Sequence, residues 1–203
     1  ASIEVTGLDR VAEHAKWNPI VLVPNHRSYF DFLIVSWLFY VNYLVPPHIY
    51  ARENMAFGPF GFIFRRCGAF FARGKFDDAL YKEGFRSYVG YLVREGVTQE
   101  FFIEGGRSRT GKTLNPRFGM LSWDVEAFLG SSRRDLFFVP VGLTYERLVE
   151  EELIVDEQRG GEKRKESVLR LVRARKFLQR RFGTAHVNFG EPISLADALG
   201  DRR

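Results

Sequence analysis

Short apolar runs alternate with longer amphipathic stretches along this chain, and this alternation restricts its fold more than any other feature. Six runs have the length and composition of buried strands. They are Ile20–Val23, His48–Ala51, Gly68–Ala72, Phe101–Glu104, Leu136–Val141 and His186–Phe189. Between them, apolar residues at helical spacing mark Asp77–Glu95 and Glu166–Phe182 as amphipathic helices. Strands that alternate with helices predict an α/β domain with a central, mostly parallel mixed sheet flanked by helices.

The length of 203 residues is sufficient for one domain with a full hydrophobic core. We therefore expect residues 1–203 to form a single domain. The chain begins with Ala1 rather than methionine, so we expect it to be part of a longer protein. No stretch reaches the roughly 18 apolar residues that a membrane-spanning helix needs. If the protein contacts a membrane, we expect it to lie on the surface.

The balance of charges is basic, with a formal net charge of +5 and 30 Lys and Arg residues. A net positive charge attracts nucleic acid, anionic lipid or acidic substrates, and the sign of the charge alone does not distinguish these partners. The sequence contains no recognised nucleic-acid motif, so we expect no nucleic-acid partner. Cys67 is the single cysteine, which excludes an internal disulfide. No group of residues has metal-ligand spacing, so we predict no metal site.

His26 and Asp31 lie in the run Pro24–Asp31, directly after the first apolar run. Residues five apart on a straight helix point about 140° away from each other, so His26 cannot meet Asp31 from inside the same helix. From the turn before the helix, His26 can offer one ring nitrogen to Asp31 and keep the other for a substrate. A carboxylate that orients an imidazole in this way makes it a general base.

A purely structural interpretation of the same residues stays open, because a His and an Asp at this spacing are common. Ser28 can cap the helix that follows, with Asp31 three residues later in the capping-box position. In that case His26 is only a turn residue. Ser28 is a less favoured nucleophile, since capping accounts for its position.

The segment Glu104–Thr113 combines glycines and cationic side chains directly after a predicted strand. In an extended stretch, Arg107 and Arg109 project to the same side. Two guanidinium groups can bind one phosphate through paired, charge-assisted hydrogen bonds. Gly105 allows a ligand to approach the backbone closely. The alternative is a solvated basic loop with no ligand.

The residues from Gly106 to Thr113 also match the P-loop pattern G-x-x-x-x-G-K-T. We reject a P-loop, because that loop must lead directly into a helix whose N-terminus binds the phosphates. Pro116 follows Thr113 by three residues and disfavours helical geometry at Asn115. No strand ends in the Asp that a magnesium site would require.

Four sequence blocks now occur in order along the chain. They are Asn25–Asp31, Gly68–Arg73, Phe102–Gly111, and Val139–Val141 followed by Tyr145 and Glu146. With these blocks, the chain resembles the membrane-associated glycerol-3-phosphate acyltransferases of the bacterial type and the related dihydroxyacetone-phosphate acyltransferases. The similarity extends from Ile20 to Leu195, nearly the whole chain. It implies an acyltransferase-type catalytic domain.

The resemblance implies roles for particular residues. His26 is expected to be the general base and Asp31 its partner. The residues expected at the substrate are Phe70, Arg73, Glu104, Gly105, Arg107, Arg109 and Pro140. Among them, Pro140 is expected to shape the site. The chain departs from the family pattern at Gly74, where another basic residue often follows the second-block arginine, and in the segment after Glu151; both departures concern acceptor affinity.

The implied reaction is direct transfer of a fatty acyl group from acyl-CoA or acyl carrier protein to the sn-1 hydroxyl of glycerol 3-phosphate. The acyl donor is a substrate, and no cofactor is expected. The resemblance also implies a location at the membrane surface, on the cytoplasmic face of the inner membrane. Two segments are candidates for that contact: Phe57–Phe64, with Arg65 and Arg66 after it, and the basic amphipathic helix Glu166–Phe182. Packing within the protein is the alternative for both.

Three other functions remain open on the sequence. Dihydroxyacetone phosphate is an alternative acceptor. A non-catalytic module that binds anionic lipid would use the same basic loops without transferring an acyl group. A thioester hydrolase would release free fatty acid with or without a phosphate acceptor.

Overall fold

The computed structural model describes residues 2–28, 30–56, 58–108, 112–147 and 183–200. Eight strands of one sheet lie within them: β1 Ser2–Thr6, β2 Ile20–Pro24, β3 His48–Arg52, β4 Ala69–Ala72, β5 Gln99–Glu100, β6 Phe137–Tyr145, β7 Thr184–Phe189 and β8 Ile193–Ser194. The helices in the same ranges are α1 Leu8–Ala15, α2 Asp31–Val41, α3 Gly58–Arg66, α4 Ala79–Glu95, α5 Gly119–Leu129 and α6 Leu195–Leu199, with a 3₁₀ turn at Glu53–Met55.

The strand order is β1-β7-β6-β2-β5-β3-β4, and β8 pairs with β6 outside this path. Five of the pairings are parallel: β1 with β7, β2 with β5 and with β6, and β3 with β4 and with β5. The two antiparallel pairings among the described strands are those of β6 with β7 and with β8. The predicted α/β fold with a mostly parallel mixed sheet is therefore confirmed.

Hydrophobic cores lie on both faces of the sheet, because successive residues of a strand point to opposite faces. Leu22 of β2 belongs to a buried cluster with Val35 and Phe39 of α2. Its neighbour Val21 belongs to a second cluster that includes Phe128 of α5. The run Ile20–Val23 is apolar throughout because both of its faces are covered, as is typical of parallel sheets.

The helix α4 follows its sequence prediction closely. Asp78 precedes it, and the side-chain carboxylate accepts hydrogen bonds from the N–H groups of Leu80 and Tyr81. Gly96 ends the helix in the left-handed conformation, with φ of 76°, which an L side chain rarely adopts. The N-cap Asp and the C-terminal Gly are the standard signals for a helix start and stop, and they place α4 within the predicted range Asp77–Glu95.

The predicted strand Phe101–Glu104 is wrong in its position. The strand β5 ends at Glu100, and the chain turns immediately afterwards, with the N–H group of Gly105 donating to the carbonyl of Phe102 at 2.8 Å. Gly105 has a φ of 63°, which permits this turn. The apolar residues after β5 are thus part of a loop at the carboxyl edge of the sheet, where ligands of parallel α/β proteins bind.

No helix within the described ranges is long and apolar enough to cross a membrane. The predicted helix Glu166–Phe182 and the predicted phosphate ligand Arg109 lie outside the described residues.

Candidate active site

The loop between β2 and α2 carries the candidate base and is tied to the neighbouring strand β6. The backbone N–H of Asn25 donates to the carbonyl of Val141 at 3.1 Å. The side-chain amide of Asn25 donates to the carbonyl of Leu143 and accepts from the N–H of the same residue, at 3.1 and 2.7 Å. These bonds replace the sheet pairing that ends at Pro24, and they fix the direction in which the next residue, His26, leaves the sheet.

His26 and Asp31 are in direct contact. The Nδ1 atom of His26 lies 2.9 Å from Oδ2 of Asp31, whose side chain is completely buried. The same oxygen accepts hydrogen bonds from the backbone N–H groups of Arg27 and Ser28, at 2.7 and 2.9 Å. The hydroxyl of Tyr145 donates to the other oxygen, Oδ1. These four contacts satisfy the hydrogen-bonding capacity of the buried carboxylate and fix its position at the start of α2.

Asp31 therefore acts both as a residue of the helix cap and as the hydrogen-bond partner of His26. Its bond to the N–H of Ser28 is the reverse half of a capping box, and the hydroxyl of Ser28 accepts from the N–H of Phe30 at 3.2 Å. The helix begins at Asp31 rather than directly after Ser28. Because the carboxylate is held by the helix start, it presents a fixed acceptor to His26.

The imidazole of His26 is held from two further directions. Its ring stacks on Phe102, with centroids 4.1 Å apart and an angle of 26° between the planes. The backbone N–H of His26 donates to Oε1 of Glu104 at 3.1 Å, and its carbonyl accepts from the N–H of Ser108 at 2.9 Å. With Nδ1 bonded to Asp31, Nε2 is the nitrogen that can take a proton from a substrate.

Glu104 connects the two loops of the site. One carboxylate oxygen accepts from the backbone of His26, and the other accepts from the N–H of Leu114 at 2.8 Å. The side chain is almost fully buried and is not among the residues that line the cavity described below. In the described structure, Glu104 therefore links the two loops. Its direct contact with the acceptor remains a prediction.

The loop around Arg107 does not have P-loop geometry. Residues 112–118 have no helical structure, and α5 begins only at Gly119. The guanidinium of Arg27 donates to the carbonyl of Lys112 and to the hydroxyl of Thr113, at 3.2 and 3.3 Å. Within the described residues, no helix follows the motif directly, as the rejection of a P-loop requires. A Cβ atom on Gly105 would lie 2.5 Å from Cδ of Arg117, so any larger residue here would have to displace the Arg117 side chain.

Three predicted substrate residues lie away from the cavity. Phe70 points into the core, where it packs against Phe85 at 5.8 Å between ring centroids. The guanidinium of Arg73 lies 4.5 Å from the ring centroid of Tyr81. Pro140 is exposed on β6, and its carbonyl accepts from the N–H of Gly190 at 2.8 Å. None of the three lines the cavity, so their roles at the substrate remain predictions.

A cavity of about 320 Å³ opens beside His26, against β3 and β4 and the loops that follow β2 and β5. One part of its lining is apolar and comes from Phe32, Ile49, Ala51, Met55, Phe64, Ala69, Phe71 and Phe102. The other part is polar or backbone-exposing and comes from His26, Tyr50, Arg52, Asn54, Gly105, Gly106 and Arg107. No Asp or Glu is among the described residues that line it. The arrangement suits an anionic group near the imidazole and an apolar group beside it.

Sequence reasoning missed several residues of this site. Tyr145 lies in the fourth block, but its bond to Asp31 was not predicted. Arg52 lines the cavity from the end of β3, and its position at a carboxyl strand end was the signal that could have identified it. Phe71 lines the cavity in place of Phe70, because the alternation of β4 turns Phe71 toward it.

Two buried carboxyl groups lie on β5 and α5, close to the site. Glu100 is completely buried, and burial raises its pKa well above the usual value, with a further rise from the charge of Asp31. Burial also raises the pKa of Asp124 to about 8, although a hydrogen bond from Gln99 opposes this rise. Burial therefore favours the protonated form of both carboxyl groups in the folded protein. Within the described residues, no group of three or more His, Cys, Asp or Glu could hold a metal ion.

Comparisons of sequence and of structure both find acyltransferases among the proteins that are similar to this chain. The sequence model of the family described as Acyltransferase matches residues 2–144, and that described as glycerol-3-phosphate acyltransferase C-terminal region matches residues 155–203. The glycerol-3-phosphate acyltransferase of Pseudomonas paraeruginosa is 46% identical over 198 residues, 97% of this chain and 24% of the relative. The enzyme of the same name from Pseudomonas putida is 43% identical over 202 residues, 99% of this chain and 24% of the relative.

The chain thus spans about a quarter of the length of these curated relatives. Among solved structures, the 1-acyl-sn-glycerophosphate acyltransferase PlsC from Thermotoga maritima superposes with a TM-score of 0.57 at 18% identity, covering 96% of this chain and 62% of that one. This similarity supports the fold assignment. Since the family model matches more than half of its residues, the chain belongs to the acyltransferase family, as its four sequence blocks predicted.

Proposed function

We propose that the full-length protein carrying this chain transfers a fatty acyl group from an acyl thioester to the sn-1 hydroxyl of glycerol 3-phosphate. The product is lysophosphatidic acid, and the reaction is the first step of phospholipid synthesis. The observation that carries this proposal is the bonded pair of His26 and Asp31 at a cavity lined by Arg107. The curated relatives are named glycerol-3-phosphate acyltransferase, which supports the proposed acceptor.

In the proposed reaction, Nε2 of His26 removes the proton of the acceptor hydroxyl while that oxygen attacks the thioester carbonyl. Asp31 keeps the proton of Nδ1 in place and stabilises the imidazolium that forms. The tetrahedral intermediate then collapses, the carbon–sulfur bond breaks, and the imidazolium returns its proton to the leaving thiolate. The base thus ends the cycle in its starting state, and no other proton donor is required.

The lining of the cavity supports a substrate with an anionic and an apolar part. The guanidinium of Arg107 suits the phosphate of the acceptor, because its fork of donors matches phosphate oxygens. Phe32, Phe64 and Phe71 provide apolar contacts near the imidazole. We propose that they contact the first methylene groups of the acyl chain, whether the donor is acyl-CoA or acyl carrier protein.

The choice of acceptor can be tested by offering glycerol 3-phosphate and dihydroxyacetone phosphate together with one labelled long-chain acyl thioester. We expect lysophosphatidic acid as the main product of the full-length protein. A predominance of acyl-dihydroxyacetone phosphate would contradict the proposed acceptor. Free fatty acid formed at the same rate with and without an acceptor would indicate a thioester hydrolase. Absence of any conversion, with lipid binding retained, would indicate a non-catalytic lipid-binding module.

We further propose that the protein acts while bound peripherally to a membrane, at the cytoplasmic face of the inner membrane. Exposed apolar side chains on α2 and α3 support this contact. The clearest are Trp37, Tyr40, Phe62 and Ile63. Phe32 of α2 and Phe64 of α3 are in edge contact at 5.6 Å and line the cavity, so this surface adjoins the site. Arg65 and Arg66 end α3 and suit anionic headgroups.

The double substitution Phe62→Ser and Ile63→Ser is expected to weaken binding to vesicles that contain anionic lipid. Both side chains are about half exposed, so withdrawing them from lipid should lower the affinity roughly tenfold. Co-sedimentation of the full-length protein with such vesicles measures the effect. Leu80→Ser is the matched control, because Leu80 is 83% exposed at the start of α4. Equal losses for the double substitution and the control, or no loss for either, would argue against this surface.

A further inference from the structure

Arg52 ends β3 at the edge of the sheet where the candidate site lies. In the parallel pairing of β3 with β4, Arg52 is opposite Ala72. On its other side, β3 pairs with β5, which leads into the loop of Gly105 and Arg107. All three strands therefore deliver their carboxyl ends to one place, as is usual for a ligand site in a parallel sheet.

The cavity that contains His26 is lined by Arg52 as well as by Arg107. No carboxylate is found among the described lining residues. Two arginines without a lining acid produce a positive potential, which favours a ligand with more than one negative charge. A phosphate monoester is such a ligand, and its oxygens can accept hydrogen bonds from two guanidinium forks.

Other arginines near the site already have structural partners, whereas Arg52 has none in the part of the chain that the structure describes. Arg27 donates to the carbonyl of Lys112. Arg73 lies over the ring of Tyr81. For Arg52, neither a hydrogen bond nor an ion pair is found within the described residues, and its side chain is exposed.

The surroundings of Arg52 are also consistent with a free positive charge. The carboxylate of the adjacent Glu53 accepts from the N–H of Gly74 at 3.3 Å and forms no ion pair with Arg52 in the described structure. Burial raises the pKa of Tyr50, and the charge of Arg52 acts against this rise.

We propose that Arg52 binds a phosphate group of a substrate at this cavity, as a second cation beside Arg107. The inference rests on the proposed acyl transfer and adds a residue that the four sequence blocks do not contain. The phosphate has two possible sources: the acceptor, or the phosphate-bearing arm of the thioester donor. Both present the same chemistry to a guanidinium, and the kinetic constants of the two substrates distinguish them.

The test is the substitution Arg52→Gln in the full-length protein, with KM measured separately for glycerol 3-phosphate and for the acyl thioester. Loss of a charge-assisted hydrogen bond should raise one KM roughly tenfold and leave kcat nearly unchanged. A rise for glycerol 3-phosphate assigns Arg52 to the acceptor, and a rise for the thioester assigns it to the donor. Arg52→Lys should recover part of the affinity, because it keeps the charge but not the fork.

Two comparisons make the result decisive. Arg94→Gln removes the same charge from the last turn of α4, near the start of β5, and should change neither KM. Arg107→Gln should raise the KM for glycerol 3-phosphate. If Arg107→Gln does so while Arg52→Gln changes neither constant, the proposal for Arg52 is wrong.

Direct binding separates this inference from the proposed reaction. Calorimetric titration of the wild-type and Arg52→Gln proteins with glycerol 3-phosphate, with CoA and with glycerol needs no turnover. Weaker binding of one phosphate-bearing ligand to Arg52→Gln supports the inference even if no acyl transfer is detected, in which case only the proposed function fails. Equal binding of both ligands to the two proteins overturns the inference, whatever the activity.

Discussion

Replacing His26 by alanine is expected to lower the turnover of acyl transfer by about 10²–10⁴-fold, the usual contribution of a positioned general base. The physical reason is the loss of Nε2, which takes the proton of the acceptor hydroxyl. Asp31 cannot substitute for it, because its side chain is completely buried and its oxygens keep three other donors, the N–H groups of Arg27 and Ser28 and the hydroxyl of Tyr145. Labelled product formed by the full-length protein with a long-chain acyl thioester measures the effect.

The control for this prediction is His186→Ala. The Nδ1 atom of His186 on β7 lies 3.1 Å from the carboxylate of Glu4 on the edge strand β1, and His186 does not line the cavity. We expect it to keep nearly normal turnover. Binding of glycerol 3-phosphate should survive in His26→Ala, since the phosphate contacts are made by other side chains. Turnover of His26→Ala within a fewfold of the wild type would exclude His26 as the base and remove the basis of the proposed mechanism.

Replacing Asp124 by asparagine is expected to stabilise the fold at neutral and alkaline pH. Burial raises the pKa of Asp124 from 3.8 to about 8, so the folded state retains a proton that the unfolded state has released. The part of the free energy of unfolding that depends on this proton is therefore fully retained below about pH 4 and declines as the pH rises to about 8. Over roughly four pH units, the free energy of unfolding falls by at most about 5 kcal/mol.

Asparagine does not titrate, and its side-chain oxygen can still accept the hydrogen bond from Gln99 that Asp124 now accepts at 3.2 Å. Amide hydrogen exchange of α5 and β5, compared between variant and wild type at each pH, should show protection that differs little near pH 4 and increases toward about pH 8. Glu126→Gln is the matched control, because Glu126 lies on the same helix in an exposed ion pair with Arg86. A constant difference across this range would contradict the assigned pKa.

The parts of the fold that could be predicted are those in which local signals agree. The helix α4 has apolar residues at helical spacing, an N-cap Asp78 and a terminal Gly96, and all three depend on sequence neighbours alone. The strand β2 is apolar on both faces. The edge strand β1 was missed because only Ile3 and Val5 alternate in it, and its pairing with β7 joins residues far apart in the sequence.

The contact between His26 and Asp31 could also be predicted, because both residues belong to one strand–turn–helix unit, in which helix geometry restricts where each can point. The bond from Tyr145 to Asp31 could not, since the two residues are 114 positions apart. The position of Phe70 in the core, with Phe71 at the cavity, depends on which face of β4 meets α4. The alternation of a strand predicts that Phe70 and Phe71 point to opposite faces, but it does not predict which of them faces the ligand.

Local order along the chain was enough to indicate the α/β class, the ends of α4 and an arrangement in which the imidazole can reach its carboxylate. These features arise from neighbours within a few residues, whose geometry is restricted by backbone dihedral angles and hydrogen bonding. The strand order, the burial of Asp124 and the gathering of His26, Arg52 and Arg107 around one cavity were decided by packing. Their physical cause is the burial of apolar surface on both faces of the sheet, which depends on the whole chain at once.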